Sequence, residues 1–544
     1  MQRFSHTILE SHLGYRERSN RMAAKHGSKY DGSWLNPIAG APVHAENIYG
    51  AFSIQTFYNS PPLSYTHADA QGWLDYLGLY YQNNFWFKDA EVRALWYYEP
   101  DDHYLGYYGI DAVLAAYHAG HGGMNSAGVF YAPMGDVWET ESSAHSDRMS
   151  LGDQVANYVF WSTCYSLVTV GGQTPVHTWS AADKGFRMLF GYNSTSVDDP
   201  NYGKFFWEEW EKGKSLTHAY LDASWRISQY QSPAVTAVGG TAQEAGDRFE
   251  NERYLYWEHV PTSNWTWGWY TATAAAELTA LEMIQGGLIG DLYPLQSAEE
   301  RAADILTAFG FAQSGPSLKG ASGQLIALDD AYRLAVEPNG GYELYLPAQT
   351  QDRPAKILGK EEAFTMARKF ISLNHLENQG GLKLIRQRQL HRAGSAVDGV
   401  PQEQPTETTF IYAQQIEGIP VVSTDAGQLS ITVGGGGAVK SVRDTRRGVK
   451  ELHKRYRQMV TPPGAEKPAS DPIKILEDAY RAEAKRRWQD RGYELPQLRP
   501  VAGSTAVGYH LEGNEAYLAA CCEVEAEFAS GLTTRFKVMV PLYR

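Results

Sequence analysis

Ile110-Asp111-Ala112-Val113-Leu114-Ala115-Ala116-Tyr117, continuing through His118-Ala119-Gly120 to His121-Gly122-Gly123, is one apolar run. Val155-Ala156-Asn157-Tyr158-Val159-Phe160-Trp161-Ser162-Thr163, ending on Cys164, is a second. Neither alternates cleanly, so both read as strands buried on two faces, which is the form parallel sheets take. Each run delivers a reactive residue type at its carboxyl end, a histidine followed by glycine in one and a cysteine in the other. Residues at the carboxyl ends of parallel strands are where sites assemble.

Working outward, strands alternate with helices. Strands are expected at Tyr49 to Tyr58, Ala94 to Tyr98 and Gly185 to Tyr192. A helix is expected over Ala68 to Tyr81, a second over Gly203 to Gln229 and a last one over residues 265 to 286. A Gly/Ser/Met-rich loop runs from Gly122 to Ser150, and Leu151 to Asn157 reads as a helical turn. This alternation predicts an α/β domain with a mostly parallel sheet flanked by helices.

The second half has a different grammar. A helix over Lys360 to Leu376 precedes strands at Gly381 to Gln389, Thr408 to Ile416, Ile419 to Thr424 and Leu429 to Val433. A helix over Asp471 to Arg491 precedes strands at Thr505 to Leu511, Ala516 to Phe528 and Thr533 to Leu542. Helix followed by antiparallel strands, twice, predicts an α+β domain with an internal repeat. The expected divisions are an arm at 1–45, the α/β domain at 46–290, a linker at 291–322 carrying SGPSLKGASG, and the α+β domain at 323–544.

Length and composition agree with this. A chain of 544 residues exceeds one ordinary core. Hydrophobic residues at 43% and charged residues at 20% suit a globular chain. The net charge of -14 argues against a nucleic-acid partner. No apolar stretch reaches the ~18–20 residues of a membrane span, and Met1 to His6 start no secretory segment, so a cytoplasmic protein is expected, or a secreted one if a leader has been trimmed. Three cysteines make no disulfide framework. Cys521 and Cys522 are neighbours in a strand-like run and read as small apolar residues facing opposite ways. Cys164 is left as the thiol whose setting suggests chemistry.

A thiol attacks a carbonyl as its thiolate, and a histidine on a separate element lowers its pKa and handles the proton. His121 and Cys164 fit these parts as general base and nucleophile. The backbone N–H groups of Gly122 and Cys164 would make an oxyanion hole, each donor worth roughly 3–4 kcal/mol in the transition state. A metal reading also exists, because His118 and His121 are three apart, with His145, Asp147 and Cys164 further on. On a strand entering a glycine-rich loop these side chains need not converge, and no HExxH occurs. No metal and no cofactor are therefore expected.

Tyr117-His118-Ala119-Gly120-His121-Gly122-Gly123 resembles the strand-end Gly-His-Gly of the caspase-like peptidase clan, which includes metacaspases, legumains and gingipains. Trp161-Ser162-Thr163-Cys164 resembles its strand-end cysteine. Ala94 to Glu99, Gly109-Ile110-Asp111, Phe186 to Tyr192, Gly203 to Phe206, Ala219 and Trp225 follow a bacterial branch of such domains in order, over residues 45 to 285. The resemblance implies a caspase-type sheet and a cysteine peptidase acting on a peptide or protein, with His121 and Cys164 as the dyad. Two alternatives stay open: a transpeptidase or peptide cyclase with the same dyad, and a non-catalytic binding protein presenting an aromatic groove to peptide or glycan. The metacaspase cysteine follows Asp-Ser, whereas this one follows Ser162-Thr163, which leaves the specificity pocket undefined. Acidic candidates for lining it are Asp147, Asp153, Asp198 and Asp222. They favour a basic substrate side chain, and Arg148 near the loop argues for an acidic one.

Phe410 to Val422, Gly427 to Val433 and Gly437 to Val442 resemble the strands of thermolysin-propeptide and PepSY-type domains, and Val507 to His510 with Ala516 to Ala520 resemble a second copy. The resemblance implies a regulator or scaffold in contact with the first domain.

Overall fold

Alternate side chains of Tyr158-Val159-Phe160-Trp161 leave the backbone on opposite sides, and all four are buried. Tyr158 and Phe160 join one core, while Val159 and Trp161 join another. The strand therefore lies inside a sheet covered on both faces, as its unbroken hydrophobicity requires.

The computed structural model describes residues 34–39, 46–274, 288–312, 317–346, 358–379, 381–454 and 471–542. The chain is mixed α/β. Strands β1 (Tyr49–Ser53), β2 (Phe85–Lys88), β3 (Ala115–Ala119), β4 (Tyr158–Ser162) and β5 (Met188–Tyr192) run parallel in the order β2-β1-β3-β4-β5. Strands β6 (Pro233–Gly239) and β7 (Asn264–Ala274) continue the sheet antiparallel. One core is closed by helices α1 (Thr66–Leu77), α2 (Tyr202–Glu211) and α3 (Leu216–Ile227), whose aromatic residues pack on Tyr117 and Phe160. On the same side, α4 (Ala242–Asn251) brings in Phe249.

Several elements differ from the sequence expectation. The strand expected from Ile110 begins only at Ala115, because the Asp111 carboxylate accepts backbone N–H groups from Gly152, Gln154, Val155 and Ala156 and holds its segment as a turn. Ala94–Tyr97 is a 3-10 turn, not a strand. The single helix expected over Gly203 to Gln229 is two, broken at Gly213 (φ +88°) and restarted by the Ser215 cap. The loop from Gly122 to Ser150 holds a three-stranded sheet of Gly123–Met124, Phe130–Trp138 and Glu141–His145.

The helix expected over 265 to 286 is a strand as far as it is described. Trp265, Trp267 and Trp269 fill one core while Tyr270 fills the other, a period of two. Residues 275–287 lie outside the described residues, as do most of the expected arm.

Strand β7 pairs along eleven residues with Gly381–Ala396, so the large sheet continues without a break into the second half of the chain. It then runs through Gln402–Ile416, Gln428–Gly434, Val439–Asp444 and the strands between Ser317 and Tyr345, sixteen strands among the described residues. The segment 291–322 contains a helix at Ala298–Ala308 and a strand at Ser317–Lys319. The helix Lys360–Leu373 packs on this extension. The second helix-and-strand unit forms its own sheet. Helix Pro472–Arg487 packs on a separate six-stranded sheet that includes Ala506–Glu512, Glu515–Glu527 and Thr533–Pro541. No described helix is long and apolar enough to cross a membrane.

A buried charge network ties α2 and α3 to the sheet extension. Lys214 Nζ lies 2.6 Å from Glu209, 2.8 Å from Asp222 and 2.8 Å from Glu343. Lys212 reaches Glu209 at 2.7 Å and Glu337 at 2.8 Å. Burial alone would raise the carboxyl pKa values of Glu209, Asp222 and Glu337, but the facing lysines and arginines outweigh it and hold all three well below the usual range.

Removing one partner of such a cluster leaves uncompensated buried charge. Lys214→Met is expected to cost about 3–5 kcal/mol in urea denaturation. Because the folded pKa values lie below the unfolded ones, the network's contribution is complete above the ordinary carboxylate range. It is lost as pH falls below about 4, so the melting temperature should drop there in the wild type and less steeply in the variant.

Candidate active site

Strands β3 and β4 are neighbours in register, Ala115 beside Tyr158 through Ala119 beside Ser162. Their carboxyl ends therefore stop together. The Gly120 N–H still bonds the Ser162 carbonyl at 3.3 Å, and then the two chains turn away carrying His121 and Cys164. Gly122 has no room for a side chain, since a Cβ there would lie 2.5 Å from the Cys164 carbonyl oxygen and 2.9 Å from Thr163. The two loops thus rest directly on one another. Tyr165, just past the cysteine, sits at φ +57°, a strained conformation for a non-glycine residue and one that marks a sharp turn.

His121 and Cys164 line one cavity of about 20 Å³, together with Asp69, Ser196, Asp198 and Thr534. That volume holds about one water molecule. Cys164 is 4% exposed and His121 1%. Cys164 Sγ lies 3.5 Å from both Ser196 Oγ and the Thr533 carbonyl oxygen, and it accepts the Ser196 N–H at 3.3 Å. Burial pushes the thiol pKa up, against the lowering effect of the Ser196 bonds.

His121 Nε2 is 2.9 Å from the Pro61 carbonyl, which can only accept, so Nε2 carries the proton in the neutral ring and Nδ1 the lone pair. Burial pulls the His121 pKa down to about 4. The ring lies against Phe57 and edge-on to Phe528. In this closed state both groups are neutral, with one proton on sulfur and one on Nε2.

Asp69 went unnoticed in the sequence. It accepts from Ser162 Oγ and Tyr117 Oη, both at 2.7 Å, and from the Gly203 N–H at 2.8 Å, and so ties β3, β4 and α2 together under the cavity. Burial raises its carboxyl to about 7. The available signal was its place on α1: Asp69, Trp73 and Leu77 recur at helical spacing, which puts an acid on the buried face.

Of the four acidic candidates, Asp198 alone reaches the cavity. The other three are corrections. Asp147 is exposed on the 3-10 turn Ser146–Arg148. Asp153 is exposed before β4, at the strand end away from Cys164, and accepts from Ser150 Oγ. Asp222 belongs to the charge network. Arg148 pairs with Glu141 at 2.7 Å and lies over the Tyr98 ring. Cys522 joins the carboxyl-terminal core while Cys521 Sγ faces the Val422 carbonyl, and burial lifts both thiols to about 12.

The residues weighed for a metal do not converge. His118 points away from His121, with Nδ1 2.6 Å from Tyr97 Oη and its ring against Trp161, and burial pulls it down to about 3. Among the described residues, carboxylate and histidine groups close enough to share an ion are Glu99 with Asp102 and His103, and Glu209 with Asp222 and Glu343. In the second the Lys214 ammonium already sits on all three acids.

Residues 52–270 match a family described as a domain of unknown function, DUF6345, a stretch that contains both His121 and Cys164. No curated protein matches the chain. Among solved structures, the chain is similar to a crystal structure of gingipain R, described as an Arg-specific cysteine proteinase, at 12% identity and a TM-score of 0.24 over 57% of this chain and 67% of that one.

Two measurements check the closed state. Cys164 is expected to resist iodoacetamide at pH 7.5 while the urea-unfolded chain labels fully. The His121 ring is expected to titrate near pH 4 by NMR of the folded protein. Since its folded pKa lies below the ordinary 6.5, the stability it contributes is present above 6.5 and is lost as pH falls from there to about 4.

Proposed function

We propose that the protein is a cysteine peptidase of the caspase-like kind, with Cys164 as nucleophile and His121 as general base and acid. The observation that carries this reading is the convergence of the two residues from the ends of adjacent parallel strands on one cavity. The motif resemblance around Gly120-His121-Gly122 supports it independently.

In the mechanism, the Cys164 proton passes to the imidazole and the sulfur attacks the scissile carbonyl carbon. The negative charge on oxygen is met by the N–H groups of Gly122 and Cys164. The carbon–nitrogen bond breaks as His121 returns the proton to the leaving amine, giving a thioester and a free amine. Water, deprotonated by His121, then releases the acid and regenerates the thiol. Replacing that water by an amine makes the same site a transpeptidase.

The ordinary resting form of such a dyad needs solvent or charge near the thiol. Here burial opposes both the thiolate and the imidazolium. Activity therefore requires the site to open.

The test uses the full chain in a series of urea concentrations below its unfolding transition, incubated with a diverse peptide library and read by mass spectrometry. Wild type is expected to yield cleaved or ligated products, Cys164→Ala none, and His121→Ala at least about a hundredfold fewer. Identical product profiles for wild type and Cys164→Ala would overturn the proposal.

A further inference from the structure

Asp198 lies in the cavity wall with Cys164, and its side chain is 2% exposed. Its oxygens accept the backbone N–H groups of Ser64 at 2.9 Å and Tyr65 at 3.1 Å. The remaining partner comes from a distant part of the chain. Arg487, at the end of helix Pro472–Arg487, donates from Nη1 to Asp198 Oδ2 at 2.9 Å and is itself 6% exposed. Its guanidinium lies 5.3 Å from the Tyr65 ring and 5.1 Å from the Phe536 ring. An acid at the base, aromatic walls and an inserted guanidinium are the parts of a pocket for an arginine side chain.

The main chain of a second carboxyl-terminal segment, the strand Thr533–Pro541, lies beside the thiol. Val197 and Arg535 pair in parallel, and the Asp198 N–H donates to the Arg535 carbonyl at 2.8 Å. Thr195 Oγ1 is 3.1 Å from Thr533 Oγ1, and the Thr533 carbonyl oxygen is 3.5 Å from Cys164 Sγ. Strand addition of this kind is a general way to hold an extended peptide. Next to Arg487, Trp488 donates to the Pro62 carbonyl at 3.2 Å and packs edge-on against Phe528 and Phe536. Phe528 in turn closes over the His121 ring.

Building on the peptidase reading above, we infer that the Asp198 pocket receives an arginine side chain of the substrate. Arg487 and the strand around Thr533–Arg535 are a built-in stand-in that holds the site shut. Side chain and main chain are supplied by two different segments, so no residue of the stand-in both seats its guanidinium on Asp198 and presents its own carbonyl to Cys164. The cover resists cleavage for that reason. When it leaves, Asp198 and Tyr65 remain as the pocket, and Phe536 departs with Arg487.

The test uses the full chain with Trp488→Ala, which loosens the cover without altering the pocket, and follows opening by iodoacetamide labelling of Cys164. Peptidyl aminocoumarins differing only in the residue before the cut, Arg, Leu or Asp, serve as substrates. Trp488→Ala is expected to cleave the Arg substrate at least about tenfold faster than wild type. Adding Asp198→Asn should lower kcat/KM for that substrate by about a hundredfold or more while leaving the Leu substrate within about threefold. Equal turnover of all three substrates, abolished by Cys164→Ala, would overturn the inference and leave the peptidase reading standing. A labelled Cys164 with no turnover of any substrate would sink both.

A readout independent of activity follows agmatine, a guanidinium side chain without a carboxyl group. It should raise the melting temperature of Arg487→Ala and not that of Arg487→Ala with Asp198→Asn. No shift in Arg487→Ala, or an equal shift in both, would count against the pocket.

Discussion

Five parallel residue pairs between β3 and β4 place everything else about the site. They end both strands at the same level, so the residues that follow meet whatever the intervening chain does. Gly122 then sets the approach, because only a residue without a side chain lets the histidine loop lie on the Cys164 carbonyl. Asp69 ties the same two strands to α1 and α2 from below. The site is therefore built on the ends of two paired strands and tied to two helices.

Electrostatics in that closed site run against chemistry. A thiol and an imidazole both stripped of water prefer their neutral forms, and no fixed charge nearby reverses this. One buried charge lies in the cavity wall, in Asp198, and is paired with Arg487. Asp198 accepts two backbone N–H groups, and Arg487 adds the opposite charge. The larger network around Lys212 and Lys214 does a different job, joining α2 and α3 to the sheet extension.

The parts read best in advance were those set by local pattern. The double-faced burial of β4, the helices of the carboxyl-terminal half and the strand-end positions of His121 and Cys164 all follow from hydrophobic runs and their ends. The parts misread were those where a single residue or the period of the pattern overrode the reading of a run. Asp111 collects four N–H groups and turns Ile110 to Leu114 out of the sheet. Gly213, in the left-handed conformation, splits the helix expected over Gly203 to Gln229. Trp265, Trp267 and Trp269 lie in the stretch expected as a helix over 265 to 286, while their period of two makes them a strand. Three of four acidic candidates failed because nothing in a linear pattern separates a pocket acid from a surface or network acid.

The sequence by itself determined where a histidine and a cysteine follow buried strands, because hydrophobic periodicity and residue type are local properties. Tertiary structure decided that those ends meet, that Asp69 lies beneath them, and that Arg487 and Thr533, hundreds of positions away, lie against Asp198 and Cys164. These outcomes depend on sheet order and on which faces pack together, and side chains so distant in the chain acquire a relation only through the fold.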